Sequence, residues 1–120
     1  MKDFSPHNPE TSAQYYSLEL ILKAAYERAA FGKGKQRHAS HGQLFEEQQI
    51  CELVRIHGHG FTRGQVEKKL HEAARLPRAQ AMKELLDCIN YLAADIIVLT
   101  EEQDAARRLQ EARLSKEPKK

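Results

Sequence analysis

The sequence holds no tryptophan, two cysteines, four prolines and six glycines in 120 residues, and each shortage closes off a class of protein. Two cysteines cannot make the disulfide framework of a small secreted domain. Cys51 and Cys88 both sit among apolar neighbours in helical patterns, so they read as buried thiols of a reduced, cytoplasmic protein. No apolar run approaches the roughly 18 residues of a membrane span, and the opening MKDFSPHNPE lacks the apolar centre of a signal peptide. Charge of one sign is also missing. Lys+Arg number 19 and Asp+Glu 17, for a net charge of +2, so nucleic acid is not the expected partner. There is no strand alternation, no internal repeat, and no Ser/His/Asp order, redox cysteine pair or nucleophile elbow.

What the chain does have is one long apolar helix pattern. Over Pro77 to Thr100, at about 100° per residue, Met82, Leu85, Leu86, Ile89, Leu92, Ala93, Ile96 and Ile97 fall on one broad stripe. The Leu76-Pro77 step marks its start, since proline suits a first helical position and disfavours helix in the residue before it. This stripe is expected to be the core-facing side of a central spine. Beyond Thr100 the chain stays compatible with helix but loses the stripe, then ends in lysines.

The other elements are read around that spine. Residues 1–10 form a polar arm, and Thr11 or Ser12 caps a first helix that runs to Phe31 and stops at Gly32. A second helix is expected from Leu44 to about His57, with Ile50, Leu53 and Val54 on one face. Thr62 and Gln65 have the spacing of a capping box for a third helix, with Phe61 and Val66 as its hydrophobic staple. The short connection at Leu76-Pro77 makes helices three and four an antiparallel hairpin. The expected fold is all-α: a bundle of about four helices with a long central C-terminal helix. It occupies residues 11–113 as one domain, followed by a basic tail over 114–120.

Four groups of residues could carry chemistry. Between helices one and two, Gly32-Lys33-Gly34-Lys35-Gln36-Arg37-His38 gathers three cations and two glycines, a composition that suits a phosphate. It is not a P-loop, because the spacing differs and no strand precedes it. The second group is acidic. Glu46 and Glu47 fall in the first turn of helix two, where the helix dipole favours carboxylates. Glu84 and Asp87 have the E-x-x-D spacing that sets two carboxylates on one face, able to hold Mg²⁺. Glu84, Asp87, Tyr91 and Asp95 point away from the apolar stripe and read as the spine's solvated face. Tyr91 and Val98, on that same face, argue for partial cover by another helix or chain. The third group is histidine: His38-x-x-His41 and His57-x-His59 complete no zinc pattern, and His57 is placed to cap helix two. The fourth, Arg63, Lys68, Lys69 and Arg75 on helix three, reads as a solubilising surface.

On these residues the hairpin VEKKLHEAARLPRAQAMKELLDCINYLAADIIVL resembles that of the all-α, MazG-like nucleoside triphosphate pyrophosphohydrolases. In that family an E-E-x-x-E helix faces an E-x-x-D helix and the carboxylates hold magnesium over a nucleotide's phosphates. Glu84 and Asp87 match the second helix. The first departs, because Lys68-Lys69-Leu70-His71-Glu72 keeps only Glu72 and carries lysines where acids are expected. Glu46 and Glu47 would have to substitute. The chain, through GKGKQRHA, FEEQ and RLPRAQAMKELLDCINYLAA, is also similar to small phage and prophage proteins, a resemblance that brings no activity with it.

A pyrophosphohydrolase needs several carboxylates converging on magnesium, and two are missing. The expected function is therefore binding of a nucleotide-like phosphate ligand by a homo-oligomer with no resident cofactor, suited to sequestering a signalling nucleotide in an anti-defence role. Lys33, Lys35, Arg37 and His38 are assigned to the phosphates, with Tyr91 or Phe31 as a stacking surface. The alternatives are a Mg²⁺-dependent hydrolase using Glu46, Glu47, Glu84 and Asp87, and an inhibitor that docks on a host enzyme.

Overall fold

The computed structural model describes residues 9–32 and 42–116. Five α-helices follow in order: α1 Pro9–Gln14, α2 Tyr16–Phe31, α3 Gln49–His57, α4 His59–Ala73 and α5 Arg78–Lys116. One turn of 3-10 helix, Phe45–Glu47, precedes α3. The described residues contain no strand, so the all-α reading holds. The spine is longer than its apolar stripe. At 39 residues and about 1.5 Å per residue it measures about 58 Å, most of the molecule's 67 Å length.

Helix α5 is the element against which α2, α3 and α4 all pack. Its start is set by Pro77, whose carbonyl accepts the Ala81 N–H at 2.9 Å. Pairings with α4 run in opposite directions along the two helices: Lys69 with Glu84, the Val66 carbonyl with Cys88, and Arg63 with Asp95. The expected antiparallel hairpin is therefore present. Helix α2 is antiparallel to α5 as well, through Ala25 with Asn90 and Arg28 with Asp87. The core is small: Ile50, Cys51 and Val54 of α3 close on Ala94 and Val98 of α5, with Phe45, Tyr91 and Ile97 packed against them.

Several boundaries differ from the sequence reading. The first helix is divided, since α1 already runs from Pro9 and a turn at Tyr15 separates it from α2. Thr11 and Ser12 thus lie within α1 and not ahead of its first residue. Gly32 does end α2, and a Cβ there would meet the Arg28 carbonyl oxygen at 2.6 Å. The second helix starts at Gln49 and not at Leu44, because Leu44 and Gln48 are extended on either side of the 3-10 turn. The capping box at Thr62 and Gln65 does not form. Gly58, at φ +86°, reverses the chain ahead of it and α4 begins at His59, which leaves Thr62 buried inside the helix. A left-handed residue is cheap only for glycine, so Gly58 and not Thr62 sets this helix start.

The largest correction concerns the orientation of α5. Not one residue of the predicted stripe is buried: Met82, Leu85, Leu92 and Ile96 are exposed, while Leu86, Ile89, Ala93 and Ile97 are partly covered. The face expected to be solvated is the packed one. Cys88, Ala94, Asp95 and Val98 are buried there, and Glu84, Asp87 and Tyr91 half-buried. Its charges are accommodated because α2 and α4 bring opposite charges to meet them.

Candidate functional site

The packed face of α5 carries two ionic clusters. In the first, Arg28 of α2 grips Asp87 with Nε–Oδ1 at 2.6 Å and Nη2–Oδ2 at 3.2 Å. Lys69 of α4 reaches Glu84 at 3.0 Å and Asp87 at 3.8 Å, and its Nζ lies 5.9 Å from the centre of the Tyr91 ring. The hydrogen bond to Asp87 raises the Arg28 pKa. For Lys69, burial works against the charge, yet the hydrogen bond to Glu84 and the nearby Asp87 outweigh it and the pKa is raised. A cation is therefore already built in between Glu84 and Asp87, in the place where the resemblance would put a metal.

The second cluster is at the start of α4. His59 lies between two carboxylates of α5: Nδ1 pairs with Asp95, and Nε2 lies 2.9 Å from Glu102. Arg63 Nε donates to the other Asp95 oxygen at 3.1 Å. The hydrogen bonds to Glu102 and Asp95 raise the His59 pKa above its ordinary 6.5, which favours imidazolium. Asp95 is buried but satisfied from both oxygens. This cluster fastens α4 to α5.

The acidic residues of the hydrolase alternative are not brought together. Glu46 and Glu47 are exposed in the 3-10 turn, not in the first turn of α3. The Glu46 carbonyl accepts Arg55 at 2.6 Å, and Arg55 also holds Glu101 at 2.7 Å. That ties Glu46 to the level of Glu101 on α5, about 21 Å of helix from Asp87 at 1.5 Å per residue. Among the described residues no group of three or more His, Cys, Asp or Glu side chains could hold a metal ion. His57 packs on Phe61, with ring centres 5.4 Å apart. Lys69, read as a surface cation, is instead largely buried.

Lys33, Lys35, Arg37 and His38 lie outside the described residues, as does His41. Of the two proposed stacking residues, Tyr91 is packed against the core under Lys69. Phe31 stands exposed at the end of α2, edge-on to Tyr26 at 6.4 Å.

The concavity the sequence did not reveal lies between α2, residues 42–48 and the flank of α5. It is a groove of about 710 Å³ whose walls include Tyr26, Ala29, Ala30, Phe45, Ala93 and Ile97. Such a volume falls in the usual range for small-molecule sites. Ala25, Ala29 and Ala30 of α2 line the groove. Three side-chain amides, Gln43, Gln48 and Asn90, supply polar groups. Asn90 donates to the Ala25 carbonyl at 3.0 Å and Gln48 to the Gln43 carbonyl at 3.4 Å, and each also carries a carbonyl oxygen able to accept. Gly42, at which the chain resumes after the cationic segment, lines the same groove. Tyr26 carried no signal in the sequence beyond its helical spacing.

No helix among the described residues is long and apolar enough to cross a membrane. No family model matches the chain, no curated protein is similar to it, and no solved structure matches its fold.

Proposed function

We propose that this chain is a ligand-binding helical protein that takes the ring-bearing part of a nucleotide-like anion into the groove between α2 and α5. The observation that carries this reading is the groove itself: about 710 Å³, walled by Tyr26, Phe45 and aliphatic residues, with the Asn90 and Gln48 amides in its lining. A planar ring stacks on an aromatic side chain and an amide reads its hydrogen-bonding edge. The segment that carries Lys33, Lys35, Arg37 and His38 runs in sequence from Gly32, two residues past the groove residue Ala30, to Gly42. Those cations are the proposed phosphate partners on that adjacency, and sequestering such a ligand is the proposed use.

Calorimetry of the full chain against a panel of nucleoside mono-, di- and triphosphates and cyclic dinucleotides tests this. The expected result is saturable binding of at least one, weakened tenfold or more by Tyr26→Ala and by alanine at Lys33, Lys35 and Arg37 together. Tyr26 is largely exposed, so its loss leaves the fold intact. No binding across the panel, or equal binding by both variants, overturns the reading. The hydrolase alternative has less support, because Glu84 and Asp87 are already neutralised by Lys69 and Arg28. Pyrophosphate release with Mg²⁺ that disappears in Glu84→Gln would restore it.

A further inference from the structure

The bare side of α5 carries a pattern finer than its breadth. Met82, Leu85, Ile89, Leu92, Ile96 and Leu99 follow one another at spacings of three, four, three, four and three residues. That is an unbroken heptad seam, with Met82, Ile89 and Ile96 at the a positions and Leu85, Leu92 and Leu99 at d. Ile at a with Leu at d is the choice of two-stranded helical pairs. Most of the seam is uncovered within one chain: Met82 is 61% exposed, Ile96 56%, Leu92 43% and Leu85 42%, while Ile89 is partly covered. It holds no charge. After Leu99 the same positions become Gln103, Ala106 and Gln110, so the apolar part has a defined end.

We propose that two copies of this chain pair through this seam, α5 against α5, about a two-fold axis. Three observations select a second copy over an unrelated partner. In a parallel pair each a position meets the partner copy's a and each d its d, so one stripe supplies both halves of an isologous interface. The seam runs from Met82 to Leu99, about 26 Å of helix at 1.5 Å per residue, and the same stretch of a second copy matches it in length and composition. Finally, Leu86 and Ala93, at the e positions beside the seam, widen it to the three-in-seven apolar face of helices that pair inside a bundle. The largest aliphatic side chains of α5 thus lie on the face that its own chain leaves open, while the smallest lie on the face its own chain covers.

This inference does not depend on the ligand reading, and its test uses the protein without ligand. Sedimentation equilibrium of the full wild-type chain at 5–100 µM is expected to return about twice the 13.7 kDa chain mass. The Leu85→Glu/Leu92→Glu variant places charge at two d positions and should return one chain mass, with helical circular dichroism retained because neither residue is buried in the protomer. Glutamate at Leu109, exposed on α5 but off the seam, should leave the pair intact. A wild-type mass of one chain at 100 µM overturns the proposal, and so does any larger mass that the double substitution leaves unchanged. Should the double variant fail to fold, wild-type melting decides: a midpoint that rises with protein concentration supports pairing, and one that does not overturns it.

Discussion

The two faces of α5 obey opposite rules. The outer face holds leucine, isoleucine and methionine, and its own chain leaves much of it open, covering Leu86, Ile89 and Ile97 only in part. The inner face holds cysteine, alanine, one valine, aspartate, glutamate and one tyrosine, and three helices close over it. Apolar size and burial are therefore decoupled. The inner face is covered because its small residues let α2, α3 and α4 come near and because Arg28 meets Asp87, Lys69 meets Glu84, and His59 and Arg63 together meet Asp95. A helix can thus have a core side fixed by charge complementarity and close approach, with its most hydrophobic side left for something else.

The sharpest way to break this contrast is to remove one inner charge. Asp87→Leu leaves Arg28 half-buried without its carboxylate, though Lys69 keeps Glu84, and should lower the stability seen in urea unfolding by about 2–3 kcal/mol. If the midpoint does not move, the inner ionic cluster contributes nothing to the fold. Next in size is overpacking. Ala94 is fully buried against α3, so Ala94→Leu should cost about 1–3 kcal/mol, whereas Met82→Ala on the outer face, in a chain diluted below any association, should cost under about 0.5 kcal/mol.

The His59 cluster gives a pH signature. Its carboxylate partners raise the folded pKa above 6.5, so its stabilisation is complete below the unfolded value and is lost as pH rises through the higher folded one. Wild type should therefore lose stability on going from about pH 6.5 into the range above the folded pKa, and His59→Gln should flatten that slope. A parallel profile in both proteins would remove the histidine from the account. The thiols provide a finer probe. Cys51 is fully buried and burial pushes its pKa up to about 11. Alkylation at pH 8 should then wait for unfolding, and prompt modification in the folded chain would mean that α3 does not stay closed on α5. The smallest effect belongs to the exposed pair of Arg55 with Glu101, where Glu101→Gln should cost under about 1 kcal/mol and less still in high salt.

Local signals carried part of this molecule. The helix class, the Leu76-Pro77 hinge, the hairpin of α4 with α5 and the stop at Gly32 all follow from residues within a few positions of one another. The facing of α5 does not. Periodicity shows that one stripe of a helix is apolar; it does not show which body covers it. The partner of Asp87 lies 59 residues away on α2, a distance no spacing rule spans. The same reasoning explains the start of α4, where a capping box was legible at Thr62 but the left-handed turn at Gly58 acted first. The groove was invisible for a similar reason, since it needs Tyr26, Phe45 and Ile97 from three separated stretches.

Close approach along the inner side of α5 has a consequence for how this sequence can change. At Cys88 and Ala94, both buried, an added methylene meets packed neighbours, so drift at these sites is confined to residues no larger than those present. Across the rod, a leucine can give way to methionine or isoleucine without disturbing its own chain. Variation among descendants of this protein should accordingly be lopsided, with one edge of the longest helix nearly frozen in volume and the opposite edge free in shape while it stays greasy.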